Sequence, residues 1–241
     1  MKFIRYLNNL IRLFQLSKAH RQVVFYSEGR NYWTHLESLV NELLNTTEIN
    51  ICYISSGSDD PGLNLKHPRY NAFITDEGFF RNWLFANIET DVLIMTMPDL
   101  HQFQVKRSKY PVHYIYVQHS LVSLHMAYRK GAFDYFDTIF CAGPHHYDEI
   151  RAMETQYNLP GKNLVKYGYP RLDSIKAEYK NSLKELKRDK NTLHALLAPS
   201  WGSYGTIESG LGLKIVDSLI MKNIKVTLRP HPQTVKFARK K

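Results

Sequence analysis

From residue 22 onward the chain alternates between two kinds of segment, and this alternation narrows its fold more than any other feature. Short apolar or β-branched runs bounded by turn residues lie at Val23 to Tyr26, Ile49 to Ile54, Val92 to Thr96, Val112 to Val117, Thr138 to Cys141, Leu193 to Ala198 and Ile224 to Leu228. Helical patterns separate them: Trp33, Leu36, Val40, Leu43 and Leu44 form one stripe, and His146 to Tyr157, Leu172 to Leu186 and Leu211 to Met221 supply others. Strands joined through helices pair in parallel, so the expected class is α/β with Rossmann-type parallel sheets. Ligands of such sheets bind outside the carboxyl ends of the strands, which directs attention to the residue stretches that follow each apolar run.

The turn Leu159-Pro160-Gly161, followed by a further strand-like run from Asn163 to Tyr167, marks a boundary near 160 to 170. The expected organisation is an amphipathic helix over 1–20, a Rossmann-like domain over 21–160 and a second over 161–241. The second holds only about three strand candidates where a doubly wound domain normally has about five or six, so it is expected to be incomplete, and the chain a truncated product or a fragment.

With 241 residues, 44% of them hydrophobic and 13% aromatic, there is material for a real core, which excludes a disordered chain. Cys52 and Cys141, the only cysteines, sit in apolar runs and read as buried, reduced thiols of a cytosolic protein. A formal charge of +10 points to an anionic partner without choosing among nucleotide, phosphorylated polymer, acidic membrane and nucleic acid. The basic clusters are local, at Lys106-Arg107, at Lys184 to Lys190 where acidic residues interleave as on a solvated helix face, and at Arg239-Lys240-Lys241. No apolar stretch approaches the roughly 18 residues a spanning helix needs, and the start lacks a signal-peptide core. Phe3, Ile4, Leu7, Leu10, Ile11 and Phe14 nevertheless recur at helical spacing, with Lys2, Arg5, Asn8, Arg12 and Lys18 largely elsewhere. That pattern fits a basic helix lying in a membrane interface and equally one packed on the domain's own core.

Three post-strand stretches could carry chemistry. After Val112 to Val117 come Gln118-His119-Ser120-Leu121-Val122-Ser123-Leu124-His125 and Tyr128-Arg129-Lys130-Gly131. A histidine there can take a proton from a hydroxyl, and neighbouring hydroxyls and N–H groups can hold phosphate oxygens. The spacing of His113, His119 and His125 fits no common zinc pattern, and His145-His146 beside Asp148 and Glu149 diverge around a helix start, so no metal is expected. The second stretch, Pro199-Ser200-Trp201-Gly202-Ser203-Tyr204-Gly205-Thr206, has small and hydroxyl residues ahead of a helix, which lets N–H groups approach an anion, although no Walker lysine follows. In the third, Arg229-Pro230-His231-Pro232, prolines stiffen the turn that presents His231, and Arg229 can grip a phosphate bidentately. Ser27-Glu28-Gly29-Arg30 either contacts an acceptor or caps the following helix, and Ser55 to Gly62 reads mostly as a turn.

Taken in order, these residues resemble the CDP-glycerol glycerophosphotransferase family, the teichoic-acid primases and polymerases of GT-B fold, from about Val24 to the last residue. His119-Ser120 stands where that family has histidine followed by glycine and threonine; Ser120-Leu121 and Gln118, in place of its tryptophan, depart from it. Gly168-Tyr169-Pro170-Arg171-Leu172-Asp173 is similar to its glycine–x–proline–arginine–x–aspartate segment, Ala198-Pro199-Ser200-Trp201 to its alanine–proline–threonine–tryptophan loop, and Arg229-Pro230-His231-Pro232 to its arginine–x–histidine–proline turn. The resemblance implies a GT-B-like pair of domains. It implies His119 as base or phosphate contact and His231 on the donor diphosphate, both catalytic. Ser120, Leu121, Val122, Ser123, Arg171, Pro199, Ser200, Arg229 and Pro230 would bind substrate, and no cofactor is needed.

The family's phosphate-binding serine/threonine loop would follow His231, where this chain ends, so weak or absent activity is expected of it. The implied reaction moves glycerol phosphate from CDP-glycerol, or another CDP-alcohol, to a hydroxyl of a lipid-linked or polysaccharide acceptor. The place of action is the cytoplasmic face of an anionic membrane. Alternatives are a GT-B nucleotide-sugar glycosyltransferase, an inactive relic, and a nucleic-acid-binding module, which would show a contiguous basic face.

Overall fold

A computed structural model describes residues 2–182 and 192–238. The run Lys184 to Lys190, the end of the helix expected over Leu172 to Leu186, and Arg239-Lys240-Lys241 lie outside the described residues. Among those described, nine strands form two parallel sheets and the chain divides into compact units, Met1–Tyr179 and Lys180–Lys241.

The first unit is built on β1 (Val23–Ser27), β2 (Ile51–Ser55), β3 (Tyr70–Ile74), β4 (Val92–Met95), β5 (His113–Val117), β6 (Thr138–Cys141) and β7 (Asn163–Lys166), in the order β3-β2-β1-β4-β5-β6-β7 with every neighbouring pair parallel. Every residue of β1 and β2 is buried, as expected of strands covered on both faces. Successive side chains alternate between those faces. Val23, Phe25, Ile51 and Tyr53 pack with Trp33, Leu36, Val40 and Leu44 of α2 (Arg30–Thr46). Val24, Tyr26, Cys52 and Ile54 pack on the other face with Leu84 and Phe85 of α3 (Phe79–Asn87), Leu13 of α1 (Lys2–Gln15) and Ile150 of α5 (Pro144–Tyr157). Both cysteines are buried and form no disulfide, and burial pushes the thiol of Cys52 up to about 12 and that of Cys141 to about 11.

β3 and α3 are elements that hydropathy alone did not mark. β3 is an edge strand whose Asn71 and Ala72 are half-buried, so its apolar run is broken. α3 has aromatic residues all round rather than one stripe: Phe80, Leu84 and Phe85 are buried while Phe79 and Trp83 are exposed. Part of the amino-terminal helix α1 packs on the domain's own core and part of its apolar face does not. Leu13 is buried, Leu10 and Phe14 pack against the core, and Asn9 Oδ1 accepts from the Ile74 N–H on the edge strand at 3.2 Å. Phe3, Ile4, Leu7 and Ile11 form a second apolar stripe that stays exposed.

The boundary expected near 160 to 170 differs from the structural one because β7 belongs to the first sheet. The Asn163 N–H donates to Asp137 C=O at 2.9 Å, and Lys162 Nζ donates to the carbonyls of Asp134 and Phe136, fastening the strand's entry to that of β6. The second unit, by itself, holds β8 (His194–Leu197), α7 (Leu211–Ile220), β9 (Lys225–Leu228) and α8 (Pro232–Ala238), with β8 and β9 parallel. α6 (Pro170–Ser182) runs from the first unit into it.

Candidate active site

The order of the first sheet places a topological switch between β1 and β4, where successive connections wind in opposite directions and the loops beyond the strand ends part. The loop after β1 is fastened by a buried carboxyl. Asp60, fully buried, accepts from Ser27 Oγ and Ser55 Oγ at 2.7 Å each, from Tyr53 OH at 2.9 Å and from the Gly62 N–H at 2.9 Å. It thereby ties the ends of β1 and β2 together. Gly29, at φ 136°, lies against Gly57, whose added Cβ would fall 2.6 Å from the Gly29 Cα, so both positions need glycine.

His119 follows β5 and is held by tyrosines from separate elements. Tyr116 OH is 3.1 Å from its Nδ1, Tyr128 OH is 3.4 Å from its Nε2, and Tyr169 OH donates to its backbone C=O at 3.0 Å. Tyr32 and His35 of α2 meet the ring at centroid distances of 5.7 and 6.3 Å. Burial lowers the imidazole's pKa below its ordinary value, against the opposing pull of a hydrogen bond with the Thr96 backbone at the end of β4. His119 is therefore neutral at pH 7 and able to accept a proton. His35 is lowered further, to about 4, by burial first and then by the charges of His119 and Arg171. Tyr116 is fully buried and its pKa is well above the ordinary phenol value.

Glu28, half-buried in the loop after β1, is pushed up to about 7, chiefly by burial, with Arg81 opposing and Glu77 adding to the rise. Thr96 Oγ1 and both polar atoms of the Gln118 side chain, one residue beyond β4 and β5, are buried without a hydrogen-bond partner among the described residues. A cavity of about 630 Å³ opens beyond β6 and β7, lined by Cys141, Gly143, Tyr147, Lys166 and Tyr167 among others.

Of the residues expected to bind substrate in this unit, Ser120 Oγ lies 3.2 Å from Tyr128 OH and so joins the His119 cluster. Arg171, in the first turn of α6, acts on His35 and Tyr169 through its charge. Leu121 and Val122 are exposed. Ser123 caps α4 (Leu124–Ala127), its Oγ accepting from the Met126 N–H at 3.3 Å. His146 is structural: its Nδ1 accepts from the Ala142 N–H at 3.2 Å and its Nε2 donates to Val122 C=O at 3.0 Å, tying α5 to the loop that carries His119. Among the described residues no group of His, Cys, Asp and Glu is placed to hold a metal ion.

The second unit gathers the other motif residues. Trp201 stacks on His231 at 6.1 Å and on Phe237 at 5.7 Å. The Gln233 N–H donates to His231 Nδ1 at 3.1 Å, so the neutral ring carries its proton on Nε2, a donor suited to a phosphate oxygen. Arg229 is exposed beyond β9, its N–H bonded to Leu197 C=O at 2.9 Å. Pro199 and Ser200 open the loop after β8, with Pro199 and Pro230 half-buried and Ser200 exposed. Sequence reasoning missed Tyr32, His35, Tyr116, Tyr128, Tyr169 and Asp60 as contributors. Three of the tyrosines stand in or beside the motifs, but only the order of the strands brings them together.

Fold and site define an α/β protein of Rossmann type whose polar centre lies at the carboxyl ends of a parallel sheet. The chain belongs to the CDP-glycerol:poly(glycerophosphate) glycerophosphotransferase family, whose model matches residues 9–241. Among solved structures it is similar to the wall teichoic acid polymerase TagF, determined as a single-site variant soaked with CDPG, at 11% identity and a TM-score of 0.49. The match covers 95% of this chain and 64% of that one, so this chain spans less than two thirds of that protein's length. No curated protein sequence matches it.

Proposed function

We propose that this protein is a glycerophosphotransferase that moves glycerol phosphate from CDP-glycerol, or a related CDP-alcohol, to a hydroxyl of a lipid-linked or polysaccharide acceptor. The observation that carries the reading is His119: a neutral imidazole at the switch point, clasped by tyrosine hydroxyls, in a chain of this family. The acceptor oxygen attacks the phosphorus that bears the glycerol, its proton passes to His119, and the bond to the departing phosphate breaks to release CMP. In the second unit, Arg229 and the Nε2–H of His231 are donors of the kind that offset charge on a diphosphate.

The tyrosines suit a base. A phenol accepts a hydrogen bond from a protonated ring nitrogen and donates to a bare one, so Tyr116 holds the ring in either state without raising its pKa as a carboxylate partner would. The partner surface is an anionic membrane. The exposed stripe Phe3, Ile4, Leu7 and Ile11 adjoins exposed Phe79 and Trp83, with Lys2, Arg5 and Arg12 on the same helix, as in an interfacial helix on a cytoplasmic leaflet.

The test is transfer from labelled CDP-glycerol to a glycerol-ended acceptor, with CMP release followed. His119→Ala should lower kcat by about two to four orders of magnitude and leave donor affinity nearly intact. Unchanged turnover removes His119 from the base role, and turnover of a nucleotide sugar in place of CDP-glycerol overturns the donor.

A further inference from the structure

We propose that Glu28 is an acceptor-binding residue, its carboxylate accepting hydrogen bonds from the hydroxyls of a neutral polyol end of the acceptor, beside the hydroxyl that His119 deprotonates. The inference rests on the transfer reading above and adds to it which end of the acceptor enters the site and what holds it.

Position is the first argument. Glu28 is the first residue beyond β1 and Thr96 the first beyond β4, so they stand on the two sides of the switch point. The His119 ring meets Tyr32 of α2, the helix that follows the loop after β1, at 5.7 Å, and the Thr96 backbone is near enough to act on its titration, which brings the base to the same crevice. Shared neighbours are the second. Glu28 is within electrostatic reach of Tyr32 and Tyr116, and these are residues that touch His119, at 5.7 Å ring to ring and 3.1 Å from OH to Nδ1. Presentation is the third. Ser27 Oγ bridges the Gly29 carbonyl and Asp60, and Gly29 is pressed on Gly57, so the backbone on either side of Glu28 is fixed. Among the described residues no hydrogen bond occupies its carboxyl, so the fold itself makes no use of that group as an acceptor.

Charge selects the ligand. The groups that act on or with Glu28 electrostatically are Arg81 of α3 and Glu77 just before that helix, Tyr26 of β1, Tyr32 of α2 and Tyr116 of β5. Two carboxyls against one guanidinium make a poor site for phosphate and a good one for neutral hydroxyls, which also suit the unpaired Gln118 amide and Thr96 hydroxyl. A carboxyl titrating near 7 then gives acceptor capture its own pH dependence: as pH falls through about 7 it takes up a proton and loses acceptor capacity. His119 is protonated only at lower pH, below its ordinary 6.5.

The probe is an oligomer of glycerol phosphate ending in free glycerol, titrated calorimetrically at pH 8 into the wild-type protein and Glu28→Gln, with thermal melts confirming that both fold. Glu28→Gln should bind the oligomer about ten- to a hundredfold more weakly, the worth of hydrogen bonds to a charged acceptor, and bind CDP-glycerol as before. In the transfer assay its acceptor KM should rise by the same factor with kcat within a few fold, and the limb near pH 7 should disappear from kcat/KM. Equal affinity for the oligomer in the two proteins, or an equal loss of CDP-glycerol affinity in the variant, overturns the role of Glu28. Wild-type protein that binds the oligomer through Glu28 but transfers nothing from CDP-glycerol leaves that role standing and overturns the proposed donor.

Discussion

Replacing Asp60 by alanine should destabilise the first unit by several kcal/mol, and the structure allows the cost to be worked through. Four donors converge on the buried carboxyl: Ser27 Oγ, Ser55 Oγ, Tyr53 OH and the Gly62 N–H. Two of them have somewhere to turn, since Ser27 Oγ is 3.1 Å from Gly29 C=O and Ser55 Oγ is 3.3 Å from Gly57 C=O. Tyr53 OH and the Gly62 N–H donate to no other acceptor among the described residues, and each buried donor left unpaired costs about 1–3 kcal/mol, so Asp60→Ala should lose about 2–6 kcal/mol. At about 2–4 °C per kcal/mol for a chain of this size, a loss near 4 kcal/mol lowers the Tm by about 8–16 °C. Asp60→Asn keeps an oxygen for Gly62 and offers N–H groups to the serine oxygens, leaving Tyr53 alone unpaired, so its cost should be about half. Urea unfolding followed by the fluorescence of Trp33, whose ring meets Tyr53 edge-on at 5.3 Å, measures both. A loss under about 1 kcal/mol in Asp60→Ala, or equal losses in the two variants, would refute the argument that these donors depend on Asp60.

Tyr116→Phe should lower kcat about ten- to a hundredfold with unchanged donor affinity, because a buried ring nitrogen loses its partner and the imidazole its orientation; wild-type kcat would show that Tyr116 does not position His119. Stability against pH should separate two groups of opposite sign. His35, lowered to about 4, contributes stability that is present above its ordinary 6.5 and lost as pH falls toward 4, while Glu28, raised to about 7, contributes stability that is present below its ordinary 4.5 and lost as pH rises through 7. Between pH 7 and 5 His35→Phe should therefore lose less stability on acidification than the wild type and Glu28→Gln more, as urea midpoints at each pH would show; identical slopes in all three contradict both assignments. Ile4→Glu with Ile11→Glu, on the exposed stripe of α1, should abolish sedimentation with anionic vesicles and leave the Tm within a few degrees, because neither side chain is buried; retained vesicle binding excludes this stripe as the contact.

Most strands were legible because a parallel sheet covered on both faces needs apolar runs, and β1, β2, β4, β5 and β6 show them. β3 escaped because an edge strand paired on one side tolerates Asn71 and Ala72 half-buried, and α3 escaped because Phe79 and Trp83 break its apolar stripe into a ring. The turn at Leu159-Pro160-Gly161 does mark a chain reversal, but it is an internal one. β7 lies beyond it and is still claimed by β6, through contacts such as Lys162 Nζ to the Asp134 carbonyl that no local pattern encodes. The double character of α1 was visible as a wide apolar face; which half would be covered depended on α3 and β3, the two elements not recognised.

The site was legible as separate strings and illegible as a constellation. His119 stood out because it follows an apolar run, but its chemistry depends on Tyr32 and His35 from α2, Thr96 after β4, Tyr116 in β5, Tyr128 after α4 and Tyr169 after β7. Those positions span more than half the chain, and only the order β1-β4-β5-β6-β7 carries them to one edge of the sheet. Asp60 shows the same limit more sharply. Asp60-Pro61-Gly62 is a turn, as its composition says, yet a turn aspartate is ordinarily solvated, and this one is buried because serines at the ends of two adjacent parallel strands point donors at it. The register that sets Ser27 opposite Ser55 is what turns a loop residue into the clamp beside Glu28, so the backbone on either side of Glu28 is fixed by strand pairing before any ligand is bound.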